Sequence, residues 1–209
     1  MRWKLLVGIV FAAACFAQEW EVGGFVGYGW YHNGTVESPS ERIQAGIRNR
    51  VAFGFILGED LYQHLSGEFR YVFQDGGPFL SGPGFNTNID GRSHTFTYDV
   101  VVNVTNKEHR VRPFLAAGAG GKYYTASDDA ILVQPAPAVV ILTGRNTWRF
   151  VGDFGGGVKF VVHHHIILRA DFRDYITGLP HGQIVPARFS NRHGTLQMFT
   201  PTVGVSGWF

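Results

Sequence analysis

Charged residues recur at alternate positions inside otherwise apolar stretches of this chain. They are the first residues to weigh for chemistry. Arg48, Arg50, Glu68, Arg70, Asp99, Lys159, Arg169, Asp171 and Arg173 form the main candidate set, and Arg112, Lys122 and Asp153 share the same face of their segments. Acids and bases enclosed together can pair and fill an interior, because buried charges are kept when paired and hydrogen-bonded. The same groups could instead line a narrow ion path. His64 stands two residues before Ser66, and a histidine beside a serine can activate the hydroxyl as a nucleophile. His163, His164 and His165 offer imidazoles to a metal. Successive strand residues face opposite ways, so this tract reads as a turn rather than a site. The glycine runs at 118–121 and 155–157 lack the strand-turn-helix setting of a phosphate loop; close strand approach explains them better.

The elements that must position these charges are strands. Trp20, Val22, Gly24, Val26, Tyr28 and Trp30 share one face of a first strand. Ile43, Ala45, Ile47, Val51, Phe53, Phe55 and Leu57 make a second, and Leu61, Leu65, Phe69, Tyr71 and Phe73 a third. Five more follow, centred on Val100, Ala117, Phe154, Leu168 and Val203. Period-two alternation over such lengths argues for strands rather than helices. The opposite faces carry the charges and many glycines. These strands exceed the usual soluble length of about 5–6 residues, and a tilted membrane strand needs roughly 9–11. Aromatics near the ends of the apolar faces, such as Trp30, Phe73, Phe96 and Tyr123, suit two interfacial girdles. Short connections near 58–60, 106–109 and 163–165 alternate with long ones near 33–42, 75–93, 125–147 and 177–194. The expected fold is all-β: an antiparallel up-and-down transmembrane barrel of eight strands.

The ends of the chain suit that fold. Arg2 and Lys4 precede a short apolar run, and Ala17 completes a small-residue cleavage site, so residues 1–17 read as a secretory signal peptide and 18–209 as the barrel domain. A rival reading would lipidate Cys15, the only cysteine. The chain has 18 Lys+Arg and 16 Asp+Glu. The leader holds two bases and no acid, so the remainder is formally neutral. That removes the basic surplus expected of a nucleic-acid partner. No disulfide framework or thiolate metal site is available after cleavage, and no cofactor is indicated. Val203, Val205 and Phe209 end the last strand in phase on its outward face.

The sequence resembles the outer-membrane β-barrel families grouped around the OmpA transmembrane domain. The carriers are Val22-Gly23-Gly24-Phe25-Val26-Gly27-Tyr28-Gly29, Arg112-Pro113-Phe114-Leu115-Ala116-Ala117-Gly118-Ala119-Gly120, Gly155-Gly156-Gly157-Val158-Lys159, Leu168-Arg169-Ala170-Asp171-Phe172-Arg173 and Gly204-Val205-Ser206-Gly207-Trp208-Phe209. The resemblance implies a Gram-negative outer-membrane location and a polar, closed interior. It also implies assembly through periplasmic chaperones and the barrel-assembly machinery, which would read Val203, Val205 and Phe209. No peptidoglycan-binding domain is expected. His64-Leu65-Ser66 is similar to the His-x-Ser arrangement of outer-membrane lipid A deacylases. Its parity points inward, however, and its position near a short turn puts it far from the outer leaflet. The expected role is structural or interactive and non-enzymatic: a barrel in outer-membrane lipid presenting four loops to a partner the sequence does not name. A small porin-like channel is the alternative, and a lipid-modifying enzyme a third reading. Loop 125–147, with Ile131, Leu132, Val133 and Val139 to Leu142, is apolar enough to extend its flanking strands as a hairpin or to dock a partner.

Overall fold

The structure is a computed structural model of the 209-residue chain and describes residues 19–37, 42–126, 134, 139–163, 165–187 and 190–209. The expected signal peptide with Cys15, the segment Ile131–Val133 and His164 lie outside the described residues. Along the chain run β1 (Trp20–His32), β2 (Gly34–Glu37), β3 (Arg42–Ile47), β4 (Arg50–Asp60), β5 (Leu65–Gln74), β6 (Pro78–Gly82), β7 (Phe85–Asn88), β8 (Gly91–Asn103), β9 (Val111–Ala126), β10 (Val140–Leu142), β11 (Thr147–His163), β12 (Ile166–Gly178), β13 (Ile184–Pro186), β14 (Asn191–His193) and β15 (Thr195–Trp208). Eight of them close into an antiparallel barrel in the order β1-β15-β12-β11-β9-β8-β5-β4.

Alternation decides what each barrel face meets. Val22, Val26, Trp30, Phe53, Phe55, Val100, Leu115, Phe154, Phe172, Val203 and Val205 point outward, each with about half or more of its surface exposed. Such a belt far exceeds the few hundred Å² of contiguous apolar surface a soluble monomer usually tolerates, and it suits lipid. The girdle aromatics touch their neighbours around the wall. Ring centroids are 4.9 Å apart for Phe53–Phe73, 5.3 Å for Phe73–His94, 6.3 Å for His94–Tyr123 and 4.9 Å for Tyr123–Trp148.

The short turns fall at 61–64 and 104–110, and a third connects His163 to Ile166. The first corrects the expected turn at 58–60. β4 stays paired with β5 as far as Asp60–Ser66, so Leu61 belongs to the turn and not to a third strand. In the second turn Lys107 reaches Glu19 at 2.8 Å and Asp60 at 3.3 Å. Partial burial pulls its pKa down, but the two carboxylates outweigh that and hold it above the ordinary lysine value.

The long connections correct the sequence reading most. They fold into a cap rather than running as irregular loops. One sheet has the order β14-β2-β3-β6-β7, and β10 pairs with β13. The β6–β7 hairpin turns on Pro83-Gly84, with Gly84 at φ +82°, the value a type II turn requires of its third residue. Ile43, Ala45 and Ile47 belong to this cap and are fully buried, whereas Val51, Phe53 and Phe55 are exposed. The expected second strand is therefore two strands. The chain leaves the barrel at Arg48-Asn49, where Arg48 N–H donates to Gly77 O and the Asn49 side chain accepts from Tyr31 N–H at 2.7 Å. Val139 to Leu142 do not extend β9 and β11 as a hairpin. Val140 to Leu142 pair with β13, and Val140 and Leu142 are fully buried. Val36, Leu80, Ile89, Leu179, Ile184 and Leu196 complete an apolar core over the barrel mouth, against Tyr31, Tyr124, Tyr175 and Met198.

Leu80 is fully buried in this cap. Leu80→Ala removes most of a core side chain, a change that costs roughly 2–5 kcal/mol where the cavity does not collapse. We expect limited proteolysis to cut the variant sooner within 75–93, while the barrel fragment stays protected and keeps its heat-modifiable migration on gels.

Candidate functional site

The inward face of the barrel carries the chain's densest chemistry. Glu68 on β5 sits at its centre and meets three arginines: Arg169 at 2.7 Å, Arg70 at 3.3 Å and Arg173 at 3.3 Å. Arg70 also pairs with Asp171 at 2.9 Å, and Thr202 donates to Asp171 at 2.6 Å. Arg173 spans to Asp99 at 2.9 Å and to Asp153 at 3.2 Å. Below them Glu21 accepts from Lys159 at 2.5 Å, from Arg169 at 3.0 Å and from Ser206 at 2.6 Å.

Sheet register explains why these partners come from across the lumen. Glu68 stands directly opposite Asp99 in the β5–β8 ladder, and Lys159 stands directly opposite Arg169 in the β11–β12 ladder. Like charges facing each other across a ladder repel. Arg173 relieves the first pair by bridging both acids, and Glu21 relieves the second by bridging both bases. Glycine makes room on the same face. A Cβ on Gly157 would lie 2.5 Å from the Asp171 Cβ, and one on Gly118 would collide with the Asp99 carboxylate.

Seven of the nine main candidates, Glu68, Arg70, Asp99, Lys159, Arg169, Asp171 and Arg173, meet in this cluster. Arg48 and Arg50 do not, which corrects their placement. The chain turns out of the barrel at Arg48-Asn49, so Arg48 pairs at 3.0 Å with Asp90 at the rim and Arg50 is exposed. Glu21 was missed, and Asp153 was seen on the inward face but left out of the main set. Both carry a signal: Glu21 alternates with Trp20 and Val22, and Asp153 alternates with the outward Phe154.

Two further inward cations lie at the ends of the cluster. Arg112 is fully buried with no hydrogen-bond partner on its guanidinium nitrogens; its Cζ stacks 5.1 Å from the Trp208 ring. Lys122, near the cap, donates to the Tyr31 hydroxyl at 2.9 Å and contacts Met198 Sδ at 3.3 Å. Tyr31 in turn donates to Gln74 Oε1 at 2.5 Å, which ties β1, β5 and β9 together under the cap.

The other candidates stay apart. His64 contacts the Asn103 carbonyl through Nδ1 at 2.9 Å, while Ser66 donates to Asp60 at 2.6 Å, so no His–Ser pair is assembled. His163 and His165 have ring centroids 6.5 Å apart, and among the described residues no group of three His, Cys, Asp or Glu side chains converges on one ion position. Val203, Val205 and Phe209 all face outward, and Phe209 exchanges backbone hydrogen bonds with Trp20 at the barrel seam.

No family model matches the chain, and no curated protein matches it in sequence. Solved structures do resemble it. Neisserial surface protein A (NspA) aligns over 91% of this chain and 97% of its own, with a TM-score of 0.59 and 11% identity. The outer membrane protein OprG from Pseudomonas aeruginosa aligns over 92% and 95%, with a TM-score of 0.56 and 10% identity. The N-terminal β-barrel domain of OprF from the same organism aligns over 91% and 97%, with a TM-score of 0.52 and 11% identity. The chain thus has the fold of the small outer-membrane β-barrels, and the likeness lies in the path of the backbone rather than in shared residues.

Proposed function

We propose that this protein resides in the bacterial outer membrane as a sealed barrel that anchors a folded cap for surface interaction. The apolar outer belt and the shared backbone fold support the membrane placement. One observation carries the sealed reading. Glu68, Arg70, Asp99, Lys159 and Arg173 face the lumen yet are at most 2% exposed. A water-filled pore would leave its lining charges wet. The cap supports the interaction role, since binding residues concentrate on connecting segments held by a rigid scaffold. The proposal includes export by the signal peptide and delivery by periplasmic chaperones. It also includes recognition of Val203, Val205 and Phe209 by the barrel-assembly machinery. The role is non-enzymatic, in keeping with the separation of His64 from Ser66.

Planar-bilayer recording tests the seal. The purified protein is expected to give no stepwise conductance, and regular channel events would favour the small-channel alternative. Glu68→Ala supplies the counterpart measurement. It leaves Arg70, Arg169 and Arg173 without their shared carboxylate, and removing one member of a buried charge pair costs roughly 3–5 kcal/mol. The variant is expected to lose heat-modifiable migration at a lower temperature and to admit conductance that the parent lacks.

A further inference from the structure

The two arginines that fall outside the lumen cluster line a different feature. A cleft of about 730 Å³ opens at the barrel rim over the tops of β4, β5, β8 and β9. Its charged upper wall is Arg48, Arg50 and Arg92 with Asp75 and Asp90, and its lower wall is Val51 and Phe53. Val51 and Phe53 are about half exposed on the lipid-facing side of the barrel. The cleft is therefore amphipathic in a fixed direction, apolar below and charged above, with three guanidinium groups against two carboxylates.

Register fixes its height. Arg92 lies two residues beyond His94 on the outward face of β8, and His94 is part of the aromatic belt with Phe73 and Tyr123. Asp75 follows Phe73, and Thr125 follows Tyr123, by the same two-residue step. Two strand residues rise about 7 Å. Arg92 thus stands one such step above the ring of side chains that marks a membrane interface, at the level of lipid headgroups, and Arg50 opens β4 three residues above Phe53.

The charges there are available. Arg50 is exposed and has neither an ion pair nor a hydrogen bond from its side chain among the described residues. Arg92 lies 3.7 Å from Asp75, with both side chains at least two-thirds exposed. Arg48, mostly buried, lies 3.0 Å from the exposed Asp90 carboxylate and also reaches the Ile89 carbonyl. The solvent-exposed Arg92–Asp75 pair holds weakly. A phosphate can replace such a carboxylate, because guanidinium groups bind phosphate through paired, charge-assisted hydrogen bonds.

We infer that this cleft binds the phosphorylated headgroup of an outer-leaflet lipid, with its acyl chains laid down the wall past Val51 and Phe53. The inference rests on the membrane placement proposed above. Arg50 and Arg92 are the phosphate ligands, and Arg48 closes the upper wall.

The test uses the full chain folded in phosphatidylcholine nanodiscs that carry either bisphosphorylated lipid A or the same lipid with its phosphates removed. Native mass spectrometry reads the lipid retained after disc release. Retention of the phosphorylated form is expected, and little of the other. Arg50→Gln and Arg92→Gln should each lower retention about tenfold, whereas Arg42→Gln, which breaks a cap ion pair with Glu37, should not. Heat-modifiable migration verifies that each variant is folded. Equal retention of both lipids, or no loss in the double variant, overturns the inference. So does displacement of the lipid by an equal concentration of inorganic phosphate, which would make the cleft a free-anion site. Failure of the parent to insert into the discs overturns the membrane placement instead, so the two failures are distinct.

Discussion

Backbone closure is the constraint on which the rest of this structure depends. In hydrocarbon no water can satisfy an unpaired N–H or C=O, and each one left over costs several kcal/mol. The seam between β1 and β15 closes the sheet, from Glu21–Trp208 at one end to His32–Gln197 at the other. The ladder skips Tyr28 and Gly29, beside Pro201, which has no N–H to give. β15 keeps Phe172 as the partner of Pro201 on its other side, so β12 holds the strand where β1 does not. Phe209 and Trp20 then tie the lower end with two backbone hydrogen bonds of 2.9 and 3.0 Å.

Closure at eight strands leaves an interior just wide enough for side chains to fill. Since alternation sends most apolar residues to the lipid, the fill is largely polar, apart from buried residues such as Val101, Phe114 and Ile167, and its charges must neutralise one another. Glu21, Glu68, Asp99, Asp153 and Asp171 do so against Lys159, Arg70, Arg169 and Arg173. Buried ion pairs of this kind add little net stability over an apolar fill, but each member is costly to remove alone. Their effect is to fix which strands face each other across the lumen. Glu68 can satisfy Arg169 and Arg173 only if β5 and β12 hold their observed stagger.

The sequence carried the lipid face almost completely, because period-two alternation is local and each strand declares its own parity. Val22 to Val26, Phe53 to Leu57 and Val203 to Phe209 all lie as that pattern implies. Pairing was not legible. Glu21 and Lys159 are 138 residues apart, and Arg70 and Asp171 are 101. Nothing in the local pattern of either says which opposite residue it meets. The cap was hidden for another reason. Its strands span only three to six residues and are separated by Gly, Pro and Asn, so they read as loops. Arg48 and Arg50 were drawn into the lumen set by extending one strand through a break fixed by the side chains of Asn33 and Asn49 and the Arg48–Gly77 backbone bond.

That break matters because the solvent changes there. Below Arg50 the large apolar residues Val51, Phe53, Phe55 and Leu57 of β4 face outward, as a wall set in lipid requires. Above Arg48 the apolar residues of β3 face inward, since the hydrophobic effect again has water to work against. One chain obeys both rules within a few residues by leaving the barrel ladder at Arg48-Asn49 and joining the cap sheet through the Ala45–Leu80 and Gly46–Phe79 pairs. At the crossing neither rule asks for an apolar side chain. Arg48 and Arg50 occupy it, with Arg92 beside them on β8. Along β4 the rim is thus where fixed positive charge and lipid-facing Phe53 adjoin.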